Sequence, residues 1–222
     1  MNFDSFVLTA STADLGEASA ARDHADAIEF RMDLAEEPLA ALEAYDGDLP
    51  ILATNRAEWE GGEASDEGRL EELTEATRFE AVEAVDVELA AIRDGDAEAV
   101  LKTARERDVS IVASAHDFEG TPTESEMLET LADACEHADV GKLAVTAHSR
   151  EETLALLSVT HRLTADGKTV ATMAMGEAGS HTRAVAPVYG SKIGYAPVDP
   201  EKATAPGQYD LETLSRLVDS LE

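Results

Sequence analysis

Eight short apolar, β-branched runs recur along the chain, separated by longer stretches rich in Ala, Glu and Leu. That alternation restricts the fold more than any single residue does. The runs cover residues 6–10, 27–33, 50–55, 84–89, 110–115, 141–146, 169–175 and 189–195. Helical spacing marks residues 67–80, 96–107, 124–137, 150–164 and 211–221. Thr123 with Glu126 and Ser149 with Glu152 read as helix caps, and Asp94 or Asp96 as a third. Strands alternating with helices build parallel βα units, and eight such units fit a closed (β/α)8 TIM barrel. The alternative is an open doubly wound sheet, yet the segment after the first run, TASTADLG, lacks the G-x-G-x-x-G phosphate loop. No linker or repeat divides the chain, so residues 1–222 are expected to form one catalytic domain. Residues 59–68, WEGGEASDEG, read as a mobile loop.

Within a barrel strand, alternate residues face the helices and the interior. In the second run Ile28, Phe30 and Met32 share one face and Glu29, Arg31 and Asp33 the other. The apolar set must face the helices, which turns three charges inward. The fourth run does the same with Asp86 and Glu88, and the sixth with Lys142. Ionised groups inside a barrel are costly unless paired or put to use. A bracing ion-pair network is one reading; a reactive site is the other. A lysine desolvated beside other cations becomes a free amine able to attack a carbonyl. The remaining lysines, at 102, 168, 192 and 202, fall on a helix, in loops or beside a turn.

His116 follows the fifth run, at the end of the barrel that carries catalysis in this fold, where it is suited to shuttling protons. His24, His137, His148, His161 and His181 fall in helical or loop contexts and read as surface residues. No pair has metal-ligand spacing, so no metal is expected. Arg31, Arg56 and Arg183 lie at strand ends, and cations gathered at one barrel mouth point to an anionic small molecule. Thr204 and Gln208 flank a Pro-Gly turn from which they can bond a ligand.

The charge balance excludes several classes. The 47 Asp and Glu outweigh 17 Lys and Arg to give a net charge of −30, which repels nucleic acid and anionic membranes. No apolar run approaches a bilayer span, no secretory signal opens the chain, and the one cysteine, Cys135, excludes an internal disulfide. A cytoplasmic protein is expected. A surface this acidic suffers self-repulsion at low ionic strength, which suits the salty cytoplasm of a halophile. Raising KCl from low to molar levels is therefore expected to raise the melting temperature, and a steady fall would overturn that reading.

Six landmarks, taken in order, resemble type I 3-dehydroquinate dehydratase, the Schiff-base class of the shikimate pathway. They are Glu29-Phe-Arg-Met-Asp33, Arg56-Ala-Glu-Trp-Glu-Gly-Gly62, Ser114-Ala-His-Asp-Phe118, Gly141-Lys-Leu-Ala-Val145, Met173-Ala-Met-Gly176 with Arg183, and Ala205-Pro-Gly-Gln208. The resemblance implies conversion of 3-dehydroquinate to 3-dehydroshikimate and water, with Lys142 forming the imine and His116 acting as general base. It makes Glu60 the acidic partner of His116 and gives Arg183 the substrate carboxylate. Glu29, Arg31, Arg56, Thr204 and Gln208 become substrate contacts. No metal or added cofactor is implied, because the protonated imine is the electron sink. Thr204 stands where the family has serine, and Asn55 where it has an aromatic. The short stretch before the first run lacks the family's extra N-terminal strands across the barrel bottom. Dimers occur in the family, so a homodimer is among the expected states. Two other readings compete: a Schiff-base aldolase, disfavoured by Glu177 where a phosphate would bind, and a non-catalytic barrel that binds an organic acid.

Overall fold

Each of the eight runs contributes a strand, and every paired neighbour runs parallel. In the computed structural model, which describes residues 1–199, 201 and 207–221, these are β1 (Val7–Thr12), β2 (Ala27–Arg31), β3 (Ile51–Thr54), β4 (Val82–Glu88), β5 (Ser110–Asp117), β6 (Val140–Thr146), β7 (Val170–Met175) and β8 (Ile193–Pro197). Their order is β7-β6-β5-β4-β3-β2-β1-β8, so the last strand pairs with the first. An open doubly wound sheet has a point where strand order reverses; here there is none. The seam between β7 and β8 is bridged otherwise. Lys192 N donates to Val170 O at 2.8 Å, and Ser191 Oγ accepts from Thr172 N at 2.9 Å, a side chain substituting for a ladder carbonyl. The architecture is a (β/α)8 barrel.

Around it lie α1 (Pro38–Ala44), α2 (Asp66–Ala76), α3 (Leu89–Asp94), α4 (Glu98–Glu106), α5 (Glu124–His137), α6 (Arg150–Ala165), α7 (Gly176–Gly179), α8 (Thr182–Val185) and α9 (Leu211–Asp219), with a 3-10 segment Leu15–Ala21 after β1. Thr123 and Glu126 form a reciprocal capping box on α5. On α6, Ser149 accepts from Glu152 N, while the Glu152 carboxylate turns to His148 N instead. The cap expected at Asp94 or Asp96 is absent. Left-handed Gly95 (φ 87°) ends α3, and α4 starts behind Ala97, which makes no side-chain cap. Ala97 is fully buried, so core packing sets that boundary rather than a carboxylate. The helix expected over 67–80 ends at Ala76 and is broken near its start by Gly68 (φ 82°).

Apolar residues divide by face, as the period-2 pattern requires. Ile28, Phe30, Ile51, Ala53, Val85 and Val87 point outward into a large cluster with the first helices and α9. Leu143, Val145, Val170 and Ala174 meet α5 and α6 in another. Inside the barrel, Phe3, Val7, Ala84, Val112, Val140 and Ile193 fill one end. Strand direction places these at the N-terminal ends of their strands. The charged inward residues therefore collect at the other end. Phe3 joins this lower plug, and Ser110 Oγ donates to Met1 O, so the first residues of the chain cover the barrel bottom.

Two local expectations change. β2 stops at Arg31, and Asp33 belongs to a 3-10 turn (Met32–Leu34) instead of the inward strand face. The loop expected over residues 59–68 begins inside a short 3-10 turn, Glu58–Glu60, and is held at two points. Ala57 bridges to Ala64, and Trp59 Nε1 donates to Asp66 at 2.9 Å.

Candidate active site

Alternation along β4, β5 and β6 brings Asp86, Ser114 and Lys142 to the interior. Register places Glu88 beside Ser114 and Ser114 beside Lys142. Lys142 Nζ bonds Asp86 Oδ2 at 2.9 Å and lies 4.4 Å from the centre of the Tyr195 ring. The other Asp86 oxygen accepts from Arg56 Nη2 and from Ser114 Oγ, each at 2.6 Å. Lys142 is thus held against a carboxylate, not isolated among cations as expected. Burial would push the Asp86 carboxyl upward, but Arg56 and Lys142 hold it well below the ordinary carboxylate range.

Arg56 also donates to Ser114 Oγ at 2.7 Å and to Glu88 Oε1 at 3.1 Å. Burial alone would lower its pKa, yet Asp86 and Glu88 raise it above that of a free guanidinium. The second Glu88 oxygen takes Arg69 Nη1 at 2.7 Å. Arg69 packs 5.6 Å from the Trp59 ring. This brace fixes the turn that presents Glu60. Gly61 (φ 77°) closes that turn in the left-handed region, and a Cβ on Gly62 would sit 2.1 Å from Arg56 O. The paired glycines are required by the turn and by the close backbone approach.

Glu60 Oε2 meets His116 Nδ1 at 2.5 Å, and His116 stacks on Phe118 with centroids 5.7 Å apart. Burial, then Arg56 and Lys142, hold the imidazole well below its ordinary pKa, so it is neutral near pH 7. Burial pushes Glu60 up to about 7 against the pull of Arg56, with Glu88 and Asp86 adding to the rise. With Nδ1 engaged by Glu60, Nε2 is the nitrogen left for a substrate proton. The depressed histidine pKa fixes the sign of a pH effect. A limb of kcat/KM due to His116 falls as pH drops through a value below 6.5 and is flat above it. Its linked stability is likewise full above 6.5 and declines as pH falls toward the folded-state value. Rate profiles and denaturant melts between pH 4 and 8 check both; Glu60→Gln removes the Glu60 titration at about 7 from the profile, and an acid limb still centred above 6.5 in that variant would contradict the assignment.

Glu29 accepts from Ser11 Oγ at 2.5 Å and Thr54 Oγ1 at 3.3 Å, which fixes its carboxylate. Arg31 forms a two-pronged bond to Asp33, at 2.8 and 2.6 Å. Burial opposes its charge, but Asp33 raises its pKa overall. Arg183 differs. It is 5% exposed, its Nε has no hydrogen-bond partner, and burial lowers its pKa to about 10, with only Glu29 opposing.

Lys142, His116, Glu60, Glu29, Arg31, Arg56, Arg183 and Gln208 line one cavity at the C-terminal end of the barrel. Thr204 lies outside the described residues. Met173 and Met175 line the same wall as packing. None of His24, His137, His148, His161 and His181 lines it. Among the described residues, no three His, Cys, Asp or Glu side chains gather as a metal site. Ser11, Thr54 and Tyr195 were not singled out beforehand, although alternation along β1, β3 and β8 already turns them inward. Arg69 had no such signal, because a kinked helix carries it to the site.

A family profile described as Type I 3-dehydroquinase matches residues 5–222. The chain belongs to this family. It is 59% identical over 226 residues to 3-dehydroquinate dehydratase of Haloarcula marismortui, covering 100% of this chain and 99% of that one. The crystal structure of 3-dehydroquinate dehydratase from Geobacillus kaustophilus superposes with a TM-score of 0.86 at 29% identity, covering 98% of this chain and 91% of that one. A type I enzyme from Clostridium difficile, solved with covalently modified comenic acid, gives 0.86 at 27% identity, covering 98% and 92%. Members of the type I 3-dehydroquinase family are hydro-lyases, and this chain is one: it dehydrates 3-dehydroquinate to 3-dehydroshikimate by the Schiff-base route, the third step of the shikimate pathway. No described helix is long and apolar enough to cross a membrane.

Proposed function

We propose that Lys142 is the amine of this dehydratase, His116 its general base and Glu60 the residue that orients that base. The observation carrying this reading is one cavity that holds Lys142, His116 bonded through Nδ1 to Glu60, and the incompletely bonded guanidinium of Arg183. The Lys142 amine, after giving up a proton, adds to the C3 carbonyl of the substrate. Loss of the former ketone oxygen as water, with protons handled by His116, leaves a protonated imine. His116 Nε2 then takes a proton from C2, and the C–H electrons move into an enamine conjugated with nitrogen. The enamine expels the C1 hydroxyl, which leaves as water with the proton His116 has just taken. Hydrolysis of the imine frees product and Lys142. Atoms balance with one net water released and no redox partner needed.

Arg183 receives the substrate carboxylate, Arg31 and Arg56 with Glu29 hold the ring hydroxyls, and Gln208 and Thr204 complete the contacts. Arg56 is already bonded to Asp86 and Glu88, so most of its charge is balanced within the protein; Arg183 is the cation left to meet an anion. Arg183→Met is expected to raise KM about a hundredfold with a smaller change in kcat, since a charge-assisted bond is worth about 1.5–3 kcal/mol. Steady-state kinetics check this, and an unchanged KM would remove Arg183 from the carboxylate site. The substrate anion approaches a −30 protein, so kcat/KM is expected to rise with KCl at constant folding as repulsion is screened. A steady fall would count against that.

The test of the imine is direct. Borohydride added to protein with 3-dehydroquinate in molar KCl is expected to fix a reduced adduct on Lys142, found by intact mass and peptide mapping. No adduct in a folded sample would overturn the assignment. We further place the enzyme in the cytoplasm, as one catalytic domain over residues 1–222, acting on no nucleic acid or membrane, with a homodimer among its expected states. The −30 charge supports the last point, and sedimentation at working salt tests the dimer.

A further inference from the structure

An ammonium has three N–H donors, whereas the nitrogen of a protonated imine keeps one and still carries the positive charge. A buried cation of that kind is costly unless an anion lies against it. Asp86 is in place to be that anion. It bonds Lys142 Nζ through Oδ2 at 2.9 Å, and its side chain is fully buried. It does not line the cavity, so it stands behind the lysine and reaches the reaction only through that nitrogen.

The other carboxylates around the cavity are taken. Glu29 accepts from Ser11 and Thr54, and Glu60 meets His116. Glu88 is shared by Arg56, Arg69 and the Ala57 amide, and Asp33 holds Arg31. Among the described residues, Lys142 is ion-paired with Asp86 and with no second carboxylate, while Arg56 has both Asp86 and Glu88. The remaining groups near the nitrogen supply no anion. The Tyr195 ring lies 4.4 Å away, and burial keeps its phenol neutral. Arg56 and Arg31 are cations, which disfavour another positive charge. Burial alone would raise the Asp86 carboxyl, but Arg56, Lys142 and Ser114 hold it well below the ordinary range. It therefore accepts a hydrogen bond from the nitrogen without taking its proton.

We propose that Asp86 is a further catalytic residue, the counter-ion whose carboxylate accepts the remaining N–H of the imine on Lys142 and keeps that nitrogen protonated while C2 gives its proton to His116. The proposal rests on Lys142 being the imine residue. It adds no bond-making step: the N–H proton stays on nitrogen, and the C2 electron pair flows toward a cationic imine. A neutral imine is the weaker sink.

Two hydrides separate the protonation states. Borohydride reduces either form of an imine, whereas cyanoborohydride reduces the protonated form. The parent protein and Asp86→Asn are mixed with 3-dehydroquinate in molar KCl, and the adduct on Lys142 is measured by mass with each reagent from neutral to alkaline pH. The pH at which the cyanoborohydride adduct falls to half of the borohydride adduct is expected to drop by about 1–3 units in Asp86→Asn, the usual effect of losing a close opposite charge. The alkaline side of the kcat profile is expected to move with it, whereas a merely structural defect lowers kcat equally at every pH. Ser114→Ala removes hydrogen bonds from Asp86 and Arg56 but keeps the carboxylate charge, so its half-point is expected to stay with that of the parent. A half-point unchanged in Asp86→Asn, or one in Ser114→Ala as low as in Asp86→Asn, would overturn the proposal. If Asp86→Asn does not fold, the parent protein decides. Its half-point is expected above that of the imine formed by 3-dehydroquinate with butylamine, and a value at or below that reference overturns the counter-ion. A parent protein that gives no borohydride adduct overturns the Lys142 assignment instead, which keeps the two failures apart.

Discussion

Lys142→Ala is expected to leave no borohydride-reducible adduct and to cut kcat by at least about 10⁴-fold, because it removes the imine itself rather than a contact around it. Without a nitrogen at C3, the electrons released by C2 deprotonation have only a neutral ketone to enter. The fold should survive. Removing Lys142 takes one partner from Asp86, but Arg56 and Ser114 still bond that carboxylate at 2.6 Å. The cost is then smaller than the roughly 3–5 kcal/mol of a wholly unpaired buried charge. Lys142→Met keeps the length of the side chain and separates packing from chemistry. Circular dichroism, intact mass and a dehydroshikimate absorbance assay check the three parts together. Turnover within tenfold of the parent, or an adduct on another lysine in the variant, would sink the assignment.

His116→Ala is expected to give the complementary result: an adduct that still traps on Lys142, with kcat lowered by about 10² to 10⁴-fold, the usual range for losing a general base. Imine formation slows without His116 but can still proceed with solvent as the proton carrier, whereas proton transfer from C2 needs the imidazole. The acid limb of kcat/KM assigned to His116 should vanish with it. Glu60→Gln should fall between, since it keeps a hydrogen bond to Nδ1 while changing the charge that faces His116 across 2.5 Å. Near-normal turnover of His116→Ala would remove it as the base.

Much of this site is legible without coordinates. Glu29, Asp86, Glu88 and Lys142 alternate with residues that must face the helices, and a parallel strand leaves them one direction to point. His116 follows from its place at the end of β5. Other features were not legible. Asp33 obeys the same alternation on paper but leaves the strand for a 3-10 turn, where Arg31 and the amide of Glu63 bind its carboxylate. The start of α4 carries two plausible acidic caps and uses neither, because burying Ala97 decides the boundary. Arg69 sits in a helix with nothing to mark it, and acquires its place only because Glu88 and the Trp59 ring meet there.

The sequence alone determined the alternation of strands and helices, the inward direction of the charged residues, and the order in which Lys142, His116 and Arg183 come along the chain. Those are local properties: period 2 and period 3.6 are written in neighbouring residues, and a parallel strand has two faces. Tertiary structure decided which charges neutralise one another. Arg56 and Arg183 look alike as arginines at strand ends, yet one is bonded to Asp86 and Glu88 and the other is left with a bare Nε. That difference depends on barrel register and closure, which set residues far apart in sequence within 3.1 Å of each other or leave them apart. Lys142 therefore rests beside a carboxylate and Tyr195 holds an unshared hydroxyl, because pairing energies act through space and no local pattern records them.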